Sequence, residues 1–421
     1  VKVVLINKSD SVGGAAVAAF RLTAALHNQN VDARMLVSDG MDGMLVEVAN
    51  KTMWSHKMAY ARFLWERLRF WPYEKSALER FAFSPANTGM DLSVHPLVKE
   101  ADIIHLHWVN QGYLSLNSIQ KLLNMGKPVV WTLHDMWPFT GGCHYNGNCH
   151  EFLESCGHCP FLKNPSAKDL SWQQLATKKK IYKSANLHIV TCSKWLKSLA
   201  SESTLFRNKP CTVIPNPIDT DFYHPMDKQE CRAKLKLPAD KKLLMFGAAN
   251  INDPRKGIRY LVEALNLLHD NFPVLHDKLE VIIFGKTKHG EHLNIPFKTH
   301  FMRYITNTKT LVQLYSAADA YVLPSLQDNL PNTVMEAMSC ATPVIGFRIG
   351  GVPEMIEHEK SGYLSEVRNS LSLSNGIYQT LFINDTDKMA DAARTRVLDN
   401  YSEQKVAARY IDIYRQALAN S

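Results

Sequence analysis

Ser325-Leu-Gln-Asp328-Asn-Leu-Pro-Asn-Thr-Val-Met-Glu336-Ala-Met338 sets two carboxylates eight positions apart, across a turn and the start of a predicted helix. Upstream, Ala320-Tyr-Val-Leu-Pro324 is short and apolar, the pattern of a buried strand. Downstream, Val334, Met335 and Met338 lead through Ala341-Thr-Pro-Val-Ile345 into another apolar run. The spacing predicts Asp328 at the carboxyl end of the strand and Glu336 two turns into the helix. Between them lie Asn329, Leu330, Pro331 and Asn332, and the backbone N–H groups of this stretch, which Pro331 alone lacks, are expected to be free. Such a site suits a sugar diphosphate, because carboxylates accept from sugar hydroxyls and a helix N-terminus favours phosphate charge. The same spacing also fits an ordinary strand, turn and helix with solvated acids.

The pattern around this stretch repeats it. Short apolar runs at Lys2–Ile6, Asp32–Val37, Asp102–His107, Pro128–Leu133, Leu187–Thr191 and Thr212–Ile214 alternate with helical periodicity at Ala15–Asn28 and Leu116–Asn124. After a break the scheme resumes, with strands at Lys242–Gly247, Glu280–Gly285, Ala320–Pro324 and Thr342–Gly346 and helices near Gly257–His269 and Thr310–Ala317. This alternation is expected of α/β domains with helices on both faces of a parallel sheet. The break is Pro215-Asn-Pro217-Ile-Asp-Thr-Asp-Phe-Tyr-His-Pro225, where three prolines in a polar stretch prevent regular structure. The expected division is a first Rossmann-like domain at 1–217, with a cysteine-rich loop at 140–165, and a second at 218–400. Two doubly wound domains joined there would leave a cleft at the carboxyl ends of their sheets.

A chain of 421 residues with 46% hydrophobic content can bury more than one core. Its formal charge of +8 is too modest to argue for nucleic acid, although it suits anionic substrates or an anionic membrane surface. No apolar run approaches the roughly 18 residues that span a bilayer. Val1-Lys-Val-Val-Leu-Ile6 is followed at once by Asn7-Lys-Ser-Asp10, which reads as a first strand and its loop rather than a signal peptide. The expected location is cytoplasmic, with attachment at the inner membrane face left open.

Glu336-Ala-Met-Ser-Cys-Ala-Thr-Pro-Val-Ile-Gly346, Gly350-Gly-Val-Pro-Glu-Met-Ile356 and Ser361-Gly-Tyr-Leu364 resemble the donor-site half of family 4 retaining glycosyltransferases, which have the GT-B fold. The resemblance covers nearly the whole chain and implies that a last helix, about 401–421, crosses back onto the first domain. The usual family pattern is Glu, seven residues, Glu; here Asp328, one methylene shorter, takes the first place. By resemblance the first carboxylate touches the donor sugar and the second the ribose hydroxyls.

Phe246-Gly-Ala-Ala-Asn-Ile-Asn-Asp-Pro-Arg255-Lys256-Gly257 follows a strand and opens a helix, aiming two cations at one point. Arg grips phosphate bidentately and Lys adds a mobile charge, so the pair suits a diphosphate leaving group; a solvated basic pair is the plainer reading. It matches the family's Lys-Gly motif. Ala248 stands where many relatives carry an Arg, and Arg255 is expected to compensate. In the first half, Gly13 and Gly14 let a ligand approach the backbone, and by resemblance their loop lies over the donor phosphate. His134, at the mouth of the strand Val129-Val-Trp-Thr-Leu133, matches a family His placed against the donor sugar, with His105 and His107 as lesser candidates. The implied reaction needs no protein nucleophile, no catalytic cofactor and no divalent metal. The donor would be a UDP- or GDP-linked sugar and the acceptor a surface glycan or lipid-linked saccharide. A GT-B epimerase and a non-catalytic sugar-binding protein are the rival readings.

Cys143, Cys149, Cys156 and Cys159 crowd one loop that is expected to be too long to build a core of its own. Ending in Cys-x-x-Cys, they read as a structural zinc site, with disulfides or free thiols as the other readings and His144, His150 or His158 as substitute ligands. Trp54-Ser-His-Lys-Met-Ala-Tyr-Ala-Arg-Phe-Leu-Trp65-Glu-Arg-Leu-Arg-Phe-Trp-Pro-Tyr73 mixes aromatics with cations. It suits a membrane surface or a lipid-linked acceptor, while a core-packed helix with solvated arginines is the plainer expectation.

Overall fold

A computed structural model describes residues 1–77, 79–183, 186–286 and 293–420. The chain separates into two compact units, one formed by residues 1–217 with 406–421 and the other by 218–405.

The first unit holds a seven-stranded parallel sheet. Its strands are β1 (Lys2–Ser9), β2 (Asp32–Asp39), β3 (Val46–Val48), β4 (Ile103–Leu106), β5 (Val129–Leu133), β6 (Leu187–Thr191) and β7 (Cys211–Val213). The order is β3-β2-β1-β4-β5-β6-β7, which reverses direction between β1 and β4. Strand periodicity splits the sheet between two cores. Val4, Ile6, Ile104, Leu106, Val129, Trp131 and Leu133 face the helices Leu116–Leu123 and Leu170–Tyr182. Val3, Leu5, Ile103 and Val130 face the helix Gly14–Asn28 and the helix Glu403–Ala419, which contributes Val406, Tyr410, Ile413 and Tyr414. Because both faces are covered, the strands read as continuous apolar runs rather than alternating ones.

The second unit repeats the plan with six strands: β8 (Lys242–Asn250), β9 (Leu279–Lys286), β10 (Thr299–Phe301), β11 (Ala320–Leu323), β12 (Val344–Phe347) and β13 (Gly362–Ser365). The order β10-β9-β8-β11-β12-β13 reverses between β8 and β11. One face packs Leu244, Phe246, Val281, Ile283, Val322 and Ile345 against Leu261, Leu265 and Leu268 of the helix Ile258–Asn271. Leu373 and Ile377 of the helix Ser370–Tyr378 complete that layer.

Every expected strand is present to within a few residues at its ends, and three more, β3, β10 and β13, were not anticipated. All three are sheet edges of three or four residues. So short a strand holds at most two residues on a face, too few to show alternation.

Candidate functional site

In open α/β sheets, ligands bind beyond the carboxyl ends of the strands where the strand order reverses. In the second unit that place lies after β8 and β11, and the basic and acidic motifs follow those two strands. The turn after β8 is a single 3-10 turn, Pro254–Lys256, whose cap is Asp253. The Asp253 carboxylate accepts from the Arg255 backbone N–H at 3.0 Å and from its guanidinium at 2.7 Å. Burial pushes this carboxyl up, but the bonds and charge of Arg255 outweigh that, and it sits below its ordinary range. Gly257 then takes φ 71°, and a Cβ there would lie 1.8 Å from the Pro324 carbonyl oxygen. The lack of a side chain lets the turn press on the segment after β11, where the Leu326 N–H donates to the Arg255 carbonyl at 2.7 Å.

That contact brings the two motifs together. Lys256 Nζ donates to both Asp328 oxygens, at 2.9 and 3.2 Å, in a pair whose side chains are mostly shielded. Arg255 pairs with Asp253, and its side chain is half exposed. The helix Asn332–Ser339 begins later than expected, so Glu336 lies just over one turn into it rather than two. Glu336 is buried, and its carboxylate accepts from the Tyr315 hydroxyl at 3.1 Å. Burial and the Glu336 charge hold the Tyr315 phenol well above its ordinary pKa, so it stays a donor. Asn329 and Leu330 are buried beside Asp328. The turn therefore presents a cation and a carboxylate already bonded to each other, with a second carboxylate oriented by a tyrosine.

In the first unit the reversal lies between β1 and β4. Gly13, at φ 95°, ends the loop after β1 and precedes the helix Gly14–Asn28. A Cβ on Gly13 would meet nothing within 4 Å, so the backbone angle alone, not crowding, demands glycine there. The Ser9 hydroxyl folds the loop by accepting from the N–H groups of Ser11 and Val12, at 3.3 and 3.2 Å.

His134 follows β5, and its Nε2 lies 2.9 Å from Nδ1 of His107, which follows β4. Cys192 Sγ approaches His134 Nδ1 at 3.7 Å. His107 Nε2 is buried, with no hydrogen-bond partner among the described residues. If His107 Nδ1 carries the proton and donates to His134, the orphan is an acceptor rather than a donor, the less costly choice. Burial lowers the His134 pKa to about 4, against a smaller opposing effect of Asp135. Burial, with His105 and His134 alongside, holds His107 well below its ordinary value. Both rings are thus neutral at physiological pH.

His105 lies on the same face of the strand, its ring centroid 4.3 Å from that of His107, but is more deeply buried. It faces the interior of β4, fully buried, with Nδ1 2.7 Å from the Tyr414 hydroxyl and Nε2 2.7 Å from Thr132 Oγ1. Sheet alternation turns it toward the helix Glu403–Ala419, and burial there lowers its pKa to about 3.

Asp135 escaped the sequence reading although it adjoins His134. Its carboxylate accepts from the Trp108 indole at 2.9 Å and the Trp137 N–H at 2.9 Å, and lies 2.7 Å from His144 Nδ1. The other His144 nitrogen lies 2.8 Å from Ser84 Oγ. With both ring nitrogens engaged, His144 is a brace for the segment after β5 and not a substitute metal ligand. His150 and His158 are exposed.

The expected zinc centre is likewise not supported. Cys143, Cys149, Cys156 and Cys159 line one small pocket and are all free thiols. Yet among the described residues no three His, Cys, Asp or Glu side chains are arranged to hold a metal ion. The physical reason is that the loop does possess a core. Phe70, Phe83, Cys159 and Leu162 cluster there with Cys143, Phe161 and Leu170 packed against them, so rings supplied from outside the loop fill its centre. Burial pushes the thiols of Cys143, Cys156 and Cys159 up to about 12. Lys178, buried beneath, anchors the same segment by donating to the Trp137 and Thr140 carbonyls, at 2.5 and 3.0 Å. Burial lowers its pKa to about 7, and its Nζ also lies 3.7 Å from the centroid of the Trp137 ring.

Comparison with known proteins agrees with this architecture. The family model described as Glycosyltransferase Family 4 matches residues 12–222, and that described as Glycosyl transferases group 1 matches residues 227–396. Among relatives, WcaC of Escherichia coli (strain K12), provisionally assigned as a colanic acid biosynthesis glycosyl transferase, is 25% identical over 330 residues, 74% of this chain and 76% of its own. The N-acetyl-alpha-D-glucosaminyl L-malate synthase of Bacillus anthracis is 25% identical over 220 residues, 50% of this chain and 55% of its own. Among solved structures, sucrose-phosphate synthase from Thermosynechococcus elongatus superposes with a TM-score of 0.66 at 17% identity, over 100% of both chains. Anabaena HepE in complex with UDP-glucose gives 0.62 at 16% identity, over 99% of both. At identities this low the structural likeness speaks for the fold alone.

Proposed function

Because the chain belongs to glycosyltransferase family 4 and has its GT-B architecture, we propose that it is a retaining transferase that moves a sugar from a nucleoside diphosphate to a glycan or lipid-linked acceptor. The observation that carries this reading is the bonded pair Lys256 and Asp328 at the point where the second sheet reverses, with Glu336 one helix turn beyond. A diphosphate accepting from Lys256 would draw it from Asp328, which could then accept from a hydroxyl of the sugar. Glu336 would accept from ribose hydroxyls, and Asn329, Leu330, Pro331 and Asn332 would border the donor. UDP-glucose bound to HepE supports a uracil nucleotide as the donor class, with a guanine nucleotide as the alternative. In the first unit, His134 would contact the donor sugar, and Gly13 and Gly14 would allow close approach of the phosphates.

In the reaction we envisage, the acceptor hydroxyl attacks the anomeric carbon from the face that the diphosphate leaves. The bond from that carbon to the phosphate oxygen breaks, a new bond to the acceptor oxygen forms, and the acceptor's proton passes to a departing phosphate oxygen. Lys256, joined by Arg255 if it releases Asp253, supplies fixed positive charge that stabilises the negative charge developing on the leaving diphosphate, a role a divalent metal plays elsewhere. The assignment of WcaC to colanic acid biosynthesis supports a polysaccharide as the product; its synthesis for the cell surface, at the inner face of a membrane, is part of the proposal.

The test is incubation with α-linked UDP- and GDP-sugars, with and without a saccharide acceptor, followed by proton NMR of the products. An α-linked product formed only with acceptor supports the reading. A β-linked product overturns retention, and a changed sugar without acceptor would identify an epimerase.

A further inference from the structure

Surface helices ordinarily bury an apolar stripe and show water a polar one. The helix Met53–Phe70 does the reverse. Its inward residues include Glu66, wholly buried, whose carboxylate accepts from Arg67 at 2.6 Å and from the Gly112 N–H at 3.1 Å. Arg67 donates onward to the Arg80 and Phe83 carbonyls, at 2.7 and 3.3 Å, and the Arg62 carbonyl accepts from Thr88 at 3.0 Å. Polar bonds thus hold the inner face, with Ala59 and Phe70 the apolar residues buried among them.

The outward face is apolar. Trp54 is 72% exposed, Trp65 51%, Leu68 56% and, just past the helix, Trp71 69%. Met58 and Leu64 are exposed between them. Trp54, Met58, Trp65 and Leu68 follow one another at four, seven and three positions and so share one helix face, with Leu64 at its side. The helix expected from the sequence forms and packs inward through Ala59 and Phe70, but most of its large apolar side chains face outward.

The charges around this stripe select its occupant. Among the described residues from 51 to 81, the exposed charged side chains are all cations: Lys51, Lys57, Arg69 and Lys75. The acids of the same segment are withdrawn, with Glu66 buried on Arg67, Glu74 paired with Arg80, and Glu79 half-buried. A second copy docking through a twofold axis would set Lys57 and Arg69 against their own kind. An aromatic stripe flanked by cations instead matches the boundary between acyl chains and negatively charged headgroups. Among the described residues no helix is long and apolar enough to cross a membrane, so the contact would be with its surface.

We propose that the outward face of this helix docks on an anionic lipid bilayer, with Trp54, Trp65, Leu68 and Trp71 in the interfacial zone and Lys57 and Arg69 on the headgroups. The test uses the whole chain and vesicles of phosphatidylcholine, alone or mixed three to one with phosphatidylglycerol, without donor or acceptor, so its outcome is independent of the transferase reading. Expected are sedimentation with the mixed vesicles, a blue shift of tryptophan emission, and at least a tenfold weaker association for Trp65→Glu with Leu68→Glu. Lys57→Glu with Arg69→Glu should weaken binding by about fivefold per cation and remove much of its salt dependence. Since all four side chains are exposed, an unchanged melting curve will show that the variants fold. No association with mixed vesicles, association that the Trp65 and Leu68 changes leave intact, or a dimer in sedimentation equilibrium that those changes dissociate would each overturn the proposal.

Discussion

Single side chains carry the sharpest consequences. If Lys256 stabilises the departing diphosphate, Lys256→Ala lowers turnover by about a hundredfold or more, the scale at which such electrostatic groups act. Unchanged turnover in a folded variant would remove Lys256 from the chemistry. Glu336→Ala should weaken nucleotide binding by roughly 1.5–3 kcal/mol, the worth of a charged hydrogen-bond acceptor, as read by calorimetry. Unaltered affinity would leave Glu336 as a partner of Tyr315 only. For His134, a pKa of about 4 means that protonation begins to matter only well below neutrality. Its contribution to kcat/KM should stay level from neutral pH down to about pH 5, one unit above that pKa. An acid limb near the ordinary histidine value that vanishes in His134→Gln would show the ring to be more solvated than its burial here.

At the scale of elements, the site depends on one turn touching one segment. Gly257→Ala must accommodate both a positive φ and a Cβ in collision with the Pro324 carbonyl. We expect it to lower the stability of the second unit by at least about 1–3 kcal/mol, typical of backbone strain, and to part Lys256 from Asp328. A melting temperature and activity equal to the parent's would show that the turn yields cheaply. The elements themselves were legible where chemistry repeats. Leu187–Thr191 and Ala320–Leu323 announce themselves because both faces of each strand are buried, whereas the edge strands Val46–Val48 and Thr299–Phe301 are too brief to do so. For the candidate site, spacing brought Asp328 and Glu336 to notice, but nothing local tells that Lys256 bonds Asp328 or that His107 meets His134. The first contact joins segments brought together only where the strand order reverses, and the second joins the ends of the neighbouring strands β4 and β5. The zinc expectation failed for a related reason, since the rings of Phe70 and Phe83 that fill the cysteine loop come from more than fifty positions upstream.

For the molecule as a whole, the placing of residues 406–421 in the first unit governs how stability is shared. Tyr410 and Tyr414 fill the core behind β1 and β4, and their hydroxyls bond Thr132 and His105 at 2.9 and 2.7 Å. Removing residues 406–421 should strip that face and leave the His105 and Thr132 polar atoms short of partners, a combination on the scale of the first unit's whole stability margin. Limited proteolysis of the shortened chain should then degrade 1–217 while fragments of 218–405 persist. Equal resistance of the two halves would show that the helix is dispensable. The same arrangement bears on synthesis. Residues 1–217 leave the ribosome first, yet their sheet lacks part of one covering layer until nearly two hundred further residues have been translated. Throughout that interval the nascent first unit exposes the wall that Tyr410 and Tyr414 will later cover. It is then the natural client of a chaperone, while the second unit, contiguous in sequence, can fold as it emerges.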